Sequence, residues 1–342
     1  MEPITKKNES EKTLVNKKIA VVNPMQDKFT DLYVRYFLQN NEVRLIKSKS
    51  EKDFNQVLKW ADLVWSQWAN EQLVAISEQR FNATLVTHLH SYEILVPEMI
   101  NIVHWKRVDG IIFVSDHIRH NAKRLCTQQM QDVPQTTIYN CVDLSEYPFR
   151  HVKPGKNIGY VGYINHKKGV GLLLQCIKAA VDYDPEFTFH IAGVFQETRF
   201  KVYMLHLIEE MRLKGNIVFH GWVKNIPDWL KSINYIISTS PWEGCPMNII
   251  EAMACGIKPL IHNWQGAKTL FPEKYVFNTV GEFLALIKDP WYNSVEIRQV
   301  VEKSFNAKRN IGQIEKFLVD SIDFHKNKQV NNNSKSVLMT NS

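Results

Sequence analysis

Residues 235–261 read YIISTSPWEGCPMNIIEAMACGIKPLI, and their punctuation decides the fold. A short β-branched run ends in a loop rich in Pro and Gly. An apolar stretch of helical length follows, then Gly256, then Lys-Pro and a second apolar run. That is strand, loop, helix, strand, the unit of a parallel sheet. Pro246 suits the first helical position and Gly256 the stop, which predicts a helix over 246–255. Glu251 is the odd residue, a carboxylate between Ile250 and Ala252. Ligands of such sheets bind beyond the carboxyl ends of the strands. This rule places Glu243 in the loop at that end, with Met247 and Asn248 opening a helix N-terminus suited to an anion. Glu251 then stands about 7–8 Å along the helix axis, so both carboxylates can address one elongated ligand. The plainer alternative makes Glu251 a half-exposed helix residue and Glu243 a turn carboxylate beside a helix dipole.

The same alternation runs outward in both directions. Upstream, strands are predicted over 18–23, 42–47, 62–66, 83–89, 110–115 and 136–140, with helical stretches at 28–40, 51–60 and 116–130. It restarts after YPFRHVKPGK, with strands over 157–164, 187–194, 216–223, 235–240, 258–264 and 275–278. Two doubly wound, Rossmann-like α/β domains in series are therefore expected, over 17–150 and 151–325, facing a cleft. Residues 281–325 read as helical, the C-terminal helix packing back on the first domain. The segments 1–16 and 326–342 are polar and read as disordered.

The 342 residues carry 44% hydrophobic and 23% charged side chains, ordinary for a soluble protein of two domains. No apolar run reaches the length of a membrane span, and the first residues lack the apolar core of a secretory signal. The five cysteines are scattered and odd in number, which suggests neither a disulfide framework nor a zinc site and fits a reducing cytoplasm. The net charge of +7 lies almost wholly beyond residue 150 and forms no dense basic stripe. Nucleic acid is not an expected partner; a phosphate-bearing ligand, or peripheral contact with an anionic membrane at its inner face, is.

Three further stretches carry chemistry. YVGYINHKKGVGLLLQC (160–176) is a strand ending in a Gly- and Lys-bearing loop before a helix, an anion site through Lys168, Lys167 and the turn at Gly162. HIAGV puts Gly193 at the next strand end, and FHGWV puts Trp222 and Val223 at the one after it. VTHLHSYEIL puts His90 just beyond a strand of the first domain, with His88 two residues back and Ser91, Tyr92 and Glu93 following. Trp222 reads equally well as a core aromatic. Ser115 reads as a helix N-cap. The Asp-x-Asp at 182–184 has the form of a metal motif but precedes a strand, at the wrong end of the sheet.

Together these residues resemble the retaining family-4, or group 1, glycosyltransferases of the GT-B fold. Ser240, Glu243, Gly244, Pro246, Glu251, Ala252, Met253, Ala254, Gly256 and Pro259 all fall on that family's Glu-x7-Glu pattern. The resemblance implies transfer of a sugar from a UDP- or GDP-sugar donor to a glycan or lipid-linked acceptor, without a metal or other cofactor. It implies that Glu243, His90 and Lys168 are catalytic. Glu251, Gly162, Lys167, Gly193, Trp222, Val223, Cys245, Met247 and Asn248 would bind the nucleotide-sugar, with Glu251 on the ribose. IYNCVDLSEY resembles the signature that closes the first domain, with Asn140 and Asp143 structural or cleft-lining.

Four departures stand out. Tyr163 replaces an Arg that grips the donor diphosphate, Asn234 replaces a common Asp, and Cys141 replaces a Gly. The loop NPMQDKF (23–29) lacks the usual glycine pair. The first and last of these leave room for a catalytically silent nucleotide-sugar-binding subunit. A nicotinamide oxidoreductase would need a G-x-G-x-x-G after the first strand, which is missing.

Overall fold

The computed structural model describes residues 13–23, 28–47, 51–289 and 291–340. The chain divides into two compact units, Met1–Ile138 with Arg309–Ser342, and Tyr139–Lys308. Each is built on one six-stranded parallel sheet.

The first unit contains β1 (Lys18–Val22), β2 (Glu42–Ile46), β3 (Leu63–Gln67), β4 (Thr84–Leu89), β5 (Gly110–Phe113) and β6 (Gln135–Thr137). Its helices are α1 (Lys28–Phe37), α2 (Glu51–Trp60), α3 (Glu71–Ser77), α4 (Tyr92–Leu95), α5 (Glu98–Ile102) and α6 (Asp116–Leu125). The order β2-β1-β3-β4-β5-β6 reverses direction between β1 and β3. The central strands are buried on both faces, Leu63–Trp65 and Ile111–Phe113 at 0% exposure, as helix-covered parallel strands must be.

The second unit contains β7 (Asn157–Val161), β8 (Thr188–Ala192), β9 (Ile217–Gly221), β10 (Tyr235–Ser238), β11 (Lys258–His262) and β12 (Val276–Phe277). Its helices are α7 (Val170–Tyr183), α8 (Thr198–Glu210), α9 (Ile226–Trp229), α10 (Met247–Ala254), α11 (Ala267–Leu270), α12 (Val280–Lys288) and α13 (Ser294–Ser304). The order β12-β11-β10-β7-β8-β9 puts its reversal between β7 and β10. One core runs under this sheet, with Ile158, Leu174, Ile177, Ile191, Ile237 and Leu260 fully buried.

All twelve expected strands are present; β3 is shifted by one residue at unchanged length, and the other eleven are one to three residues shorter than their apolar runs. Pro246 is the N-cap of α10 rather than its first helical residue, because its ψ of 103° is extended. Ser115 sits at the N-cap of α6 but makes no capping bond.

The units meet at Ile138/Tyr139 in sequence, earlier than the Pro/Lys stretch at 148–156. The physical reason is local: Val142 forms a parallel bridge with Asn306, which ties the segment after β6 to the second unit. The tail read as disordered is instead the end of α14 (Ala307–Thr340), a helix that belongs to the first unit from Arg309 onward. Ile311, Ile314, Leu318 and Ile322 form its buried stripe at helical spacing. Glu315 accepts bonds from the Leu14 N–H at 2.8 Å and the Tyr36 hydroxyl at 3.0 Å. His325 Nδ1 and Lys328 Nζ reach the buried Asp109 at 2.8 and 3.0 Å. Residues 1–12, 24–27 and 341–342, which hold most of the predicted N-terminal segment, most of the first βα loop and the last tail residues, lie outside the described residues.

Candidate functional site

In the second unit the strand order reverses between β7 and β10, and the loops after those two strands carry Lys168 and Glu243. The crevice of a doubly wound sheet opens at such a switch point. Lys168 Nζ lies 2.5 Å from Glu243 Oε1, with side-chain exposures of 24% and 14%. The loops are locked at backbone level as well. Thr239 Oγ1 donates to the Lys168 carbonyl at 2.9 Å. Gly169 has φ +62°, and a Cβ there would stand 2.0 Å from the Thr239 carbonyl oxygen, so only glycine allows β7's loop to close on β10's. The result is a half-buried cation and carboxylate side by side, able to bind a phosphate with one partner and hydroxyl groups with the other.

Helix α10 starts from the same loop. The Asn248 amide Nδ2 donates to the Val161 carbonyl at 2.8 Å, pinning the helix start to the end of β7. That amide therefore serves the fold, and Met247 and Asn248 contribute the opening of the helix. Cys245 is buried, its thiol against the backbone of Asn140, and burial pushes its pKa up. Glu251, one turn before the helix ends, is 6% exposed. It has a protein partner that the sequence did not reveal: the hydroxyl of buried Tyr147 donates to it. Burial, then the Glu251 carboxylate, push that hydroxyl well above its ordinary value. Arg298 holds the carbonyls of Tyr147 and Ala254 at 2.8 and 2.5 Å, so α10 and residue 147 are clamped together. Asn234, which stands where Asp is usual, donates to the Lys153 carbonyl and accepts from the Asn157 N–H, a structural brace under β7.

On the other side of β7 the site changes character. A Cβ at Gly193 would stand 1.9 Å from the Gly162 carbonyl oxygen, so the loops after β7 and β8 touch backbone to backbone. Beyond them Tyr163 and Trp222 form an exposed ring pair with centroids 5.3 Å apart. They are 40% and 60% exposed, which rules out the core role considered for Trp222. Tyr163 thus leans toward β9, away from Lys168. Val223 follows the pair half-buried, and Lys167 is exposed.

The first unit's strand ends are built differently. His90 follows β4, is 4% exposed, and stacks on Trp68 with centroids 3.8 Å apart. Trp68 follows β3, at the first sheet's own switch point, and its φ of +74° is rare for a bulky residue. The sequence reading missed it; its only signal was an aromatic two residues past a predicted strand. Glu93 joins the two loops, its Oε1 accepting the N–H groups of His90 at 3.2 Å and Ala69 at 3.4 Å. Beneath lie His88 and Gln67, register neighbours on β4 and β3 and both 0% exposed. Neither ring nitrogen of His88 has a hydrogen-bond partner among the described residues, nor does the Gln67 amide. Burial lowers His88 to about 3. Burial, with His88 adding to it, also lowers His90. Burial raises Glu93 to about 7 against its backbone hydrogen bonds.

Among the described residues no group of three or more His, Cys, Asp or Glu could hold a metal ion. Asp182 and Asp184 of the Asp-x-Asp pair with Lys178 and Lys156 before β8. Asp143 accepts from the N–H and hydroxyl of Ser145 within its own turn.

Two Rossmann-like α/β units in series, with the second unit's glycine-built loops converging on a Lys–Glu pair, define the GT-B fold class. Comparison with known proteins agrees. Residues 146–280 match the model of the family Glycosyl transferases group 1. The lipopolysaccharide core biosynthesis mannosyltransferase LpsB of Rhizobium meliloti (strain 1021) is 26% identical over 175 residues, 47% of this chain and 47% of the relative. The poly(ribitol-phosphate) alpha-N-acetylglucosaminyltransferase of Staphylococcus aureus (strain COL) is 28% identical over 148 residues, 43% of this chain and 28% of the relative. The chain thus matches about half or less of the length of these curated relatives. Among solved structures, Anabaena Alr3699/HepE in complex with UDP and glucose superposes with a TM-score of 0.73 at 16% identity, covering 89% of this chain and 100% of that one. Among the described residues no helix is long and apolar enough to cross a membrane.

Proposed function

We propose that this protein is a retaining glycosyltransferase that moves a sugar from a nucleotide diphosphate donor to a glycan or glycolipid acceptor without a metal ion. The observation that carries the reading is the Lys168–Glu243 pair at the switch point of the second sheet. A donor diphosphate competes with Glu243 for the Lys168 ammonium. Its arrival neutralises phosphate charge and frees the carboxylate for the sugar hydroxyls. When the bond between the anomeric carbon and the phosphate oxygen breaks, the electron pair leaves with the nucleoside diphosphate. Lys168 and the start of α10 stabilise that charge. The acceptor hydroxyl bonds to the same sugar face, and its proton passes to the departing phosphate oxygen. Glu251 takes the ribose and Tyr147 holds its carboxylate in place. His90 is the first unit's candidate for the sugar. Trp222 and Tyr163 offer the nucleobase an aromatic surface.

The relatives' names include a mannosyltransferase and an N-acetylglucosaminyltransferase, so the sugar stays open, and a neighbour bound to UDP favours a UDP-sugar as the first donor to try. The retained Lys–Glu pair argues against a silent binding subunit. Nucleotide-sugars are screened for thermal stabilisation, since a bound donor raises apparent stability. The stabilising donor is then followed for transfer or slow hydrolysis, with and without chelator. Binding with neither reaction overturns the enzyme reading, and loss of activity on chelation overturns the metal-free one.

A further inference from the structure

We propose that Trp68 and Glu93 are positioning residues that set the His90 ring for its contact with the sugar. The inference rests on the proposed reading of His90 and adds two residues to it. In the register of β3 and β4, Gln67 stands beside His88. Side chains alternate between the two faces of a strand, so an extended residue 68 would project from the face opposite Gln67 and His88. Instead, the φ of +74° at Trp68 turns its indole back onto their face, where it stacks on His90 with centroids 3.8 Å and planes 24° apart. The His88 ring lies 5.0 Å from the same imidazole, 28° from parallel. A bulky residue with left-handed backbone persists only where its surroundings over-determine it. Here the Trp68 N–H donates to the His88 carbonyl at 2.9 Å, and Ser66 Oγ donates to the Trp68 carbonyl at 3.3 Å. Filling the core does not explain the turn, because Trp68 stays half-buried.

Glu93 fixes the second half of the arrangement. It is 1% exposed, and its Oε1 accepts the N–H of His90 at 3.2 Å and that of Ala69, the residue after Trp68, at 3.4 Å. The Ser91 N–H adds to the bonds of this carboxylate. One buried oxygen therefore ties the backbone that carries the imidazole to the backbone that carries the indole. Past Ala69, the Asn70 side chain accepts the N–H groups of Gln72 and Leu73 and starts α3, so the turn at Trp68 is held from both ends. Burial keeps the imidazole neutral, with one donor and one acceptor nitrogen. Stacking on the indole fixes the plane of those nitrogens, and the plane decides which hydroxyl groups they meet. Hydrogen bonds weaken steeply below about 120°, and small misplacements of a contacting group cost rate. A strained aromatic at position 68 supplies that plane, and an aliphatic side chain there would not.

The test is a double-mutant cycle on the full chain, read as turnover with the stabilising donor, donor affinity and melting temperature. Trp68→Leu keeps apolar bulk and removes the ring. It should lower turnover about three- to tenfold, no more than loss of the His90 contact itself, while donor affinity changes less than about twofold. Added to His90→Ala, it should cost nothing further. Trp68→Phe, which keeps a ring, should recover most of the turnover. Glu93→Ala should act like Trp68→Leu, and Glu93→Gln, which keeps an accepting oxygen, should recover turnover; this pair carries the test if the leucine variant does not fold. The His90 ring protons, assigned in NMR spectra by comparison with His90→Ala, should resonate upfield over the indole and lose that shift in Trp68→Leu. Additive losses in the double variant overturn the proposal, since Trp68 then acts on the substrate or the fold directly. So does an unmoved His90 signal in Trp68→Leu, or full turnover of Trp68→Leu beside an impaired His90→Ala. Wild-type turnover in His90→Ala instead removes the reading of His90 and takes the proposal with it.

Discussion

The two units end their strands in opposite chemistry. In the second, charge does the work: Lys168 and Glu243 face each other across loops that glycines let close to backbone contact. In the first, charge is suppressed. His88 and His90 are held neutral, Glu93 is drawn toward its neutral form, and rings stack from Trp65 through His88 and His90 to Trp68. On the proposed transfer reaction, the difference reads as a division of labour. A leaving diphosphate needs a fixed countercharge, whereas a sugar needs shape and neutral donors, which a desolvated aromatic wall supplies.

The largest expected effect strikes the charged side. Glu243→Gln should lower turnover by about 10²–10³, the range seen when one group stabilising a transition state is removed. His90→Ala should cost closer to about tenfold, the loss of roughly one neutral hydrogen bond. Steady-state turnover of both variants, checked for retained melting temperature, decides it. Equal losses would erase the contrast between the units.

The second test concerns the neutral side and reads pH. Glu93 has an ordinary pKa of 4.5 and about 7 in the fold, so the folded state binds the extra proton between those values. A raised folded pKa gives stability that is complete below about 4.5 and lost as pH rises through about 7. The loss amounts to about 3 kcal/mol at most. The histidines act in reverse: lowered folded pKa values give stability that is present above about 6.5 and lost as pH falls. Glu93→Gln removes the first effect and keeps the second. The melting temperature of the variant relative to wild type should therefore climb between pH 5 and 7.5. A constant offset would mean that Glu93 is ionised throughout.

The same contrast explains what the sequence could tell. All twelve strands were legible because β-branched runs bounded by Gly, Pro and Asn have a fixed period. The Glu243–Glu251 spacing was legible because a strand, a loop and a helix fix it locally. Trp68 was not, since its importance comes from a positive φ and a stack on His90, twenty-two residues away, that no local pattern encodes. Tyr147 was hidden for the same reason, as its bond to Glu251 spans over a hundred residues. The tail misled because its polar composition resembles disorder, while a stripe of four isoleucines and leucines is enough to fasten a helix.

Smaller effects probe the glycines. Gly193→Ala puts a methyl 1.9 Å from the Gly162 carbonyl oxygen, and backbone must move, so a loss of about 2–3 kcal/mol is expected. Gly221→Ala meets nothing within 4 Å and bears only the strain of φ +64°, about 1 kcal/mol. Denaturant titration separates them. If Gly221→Ala were the worse of the two, close approach between the β7 and β8 loops would not be what requires glycine.

The smallest expected effect concerns the departure at position 163. In a sheet ordered β10-β7-β8-β9, Lys168 and Glu243 occupy the β10 side of β7, and Tyr163 turns the other way to meet Trp222 beyond β8. A cation introduced there replaces an exposed ring, and exposed charges contribute about 0–1 kcal/mol. Tyr163→Arg should therefore change donor affinity less than about threefold, with the change shrinking as salt screens it. It should disturb the Trp222 fluorescence more than the binding constant. A tenfold or greater tightening, measured calorimetrically with the nucleoside diphosphate, would bring position 163 into the phosphate site. The aromatic pair would then be a substitute for a lost cation rather than a surface for the base.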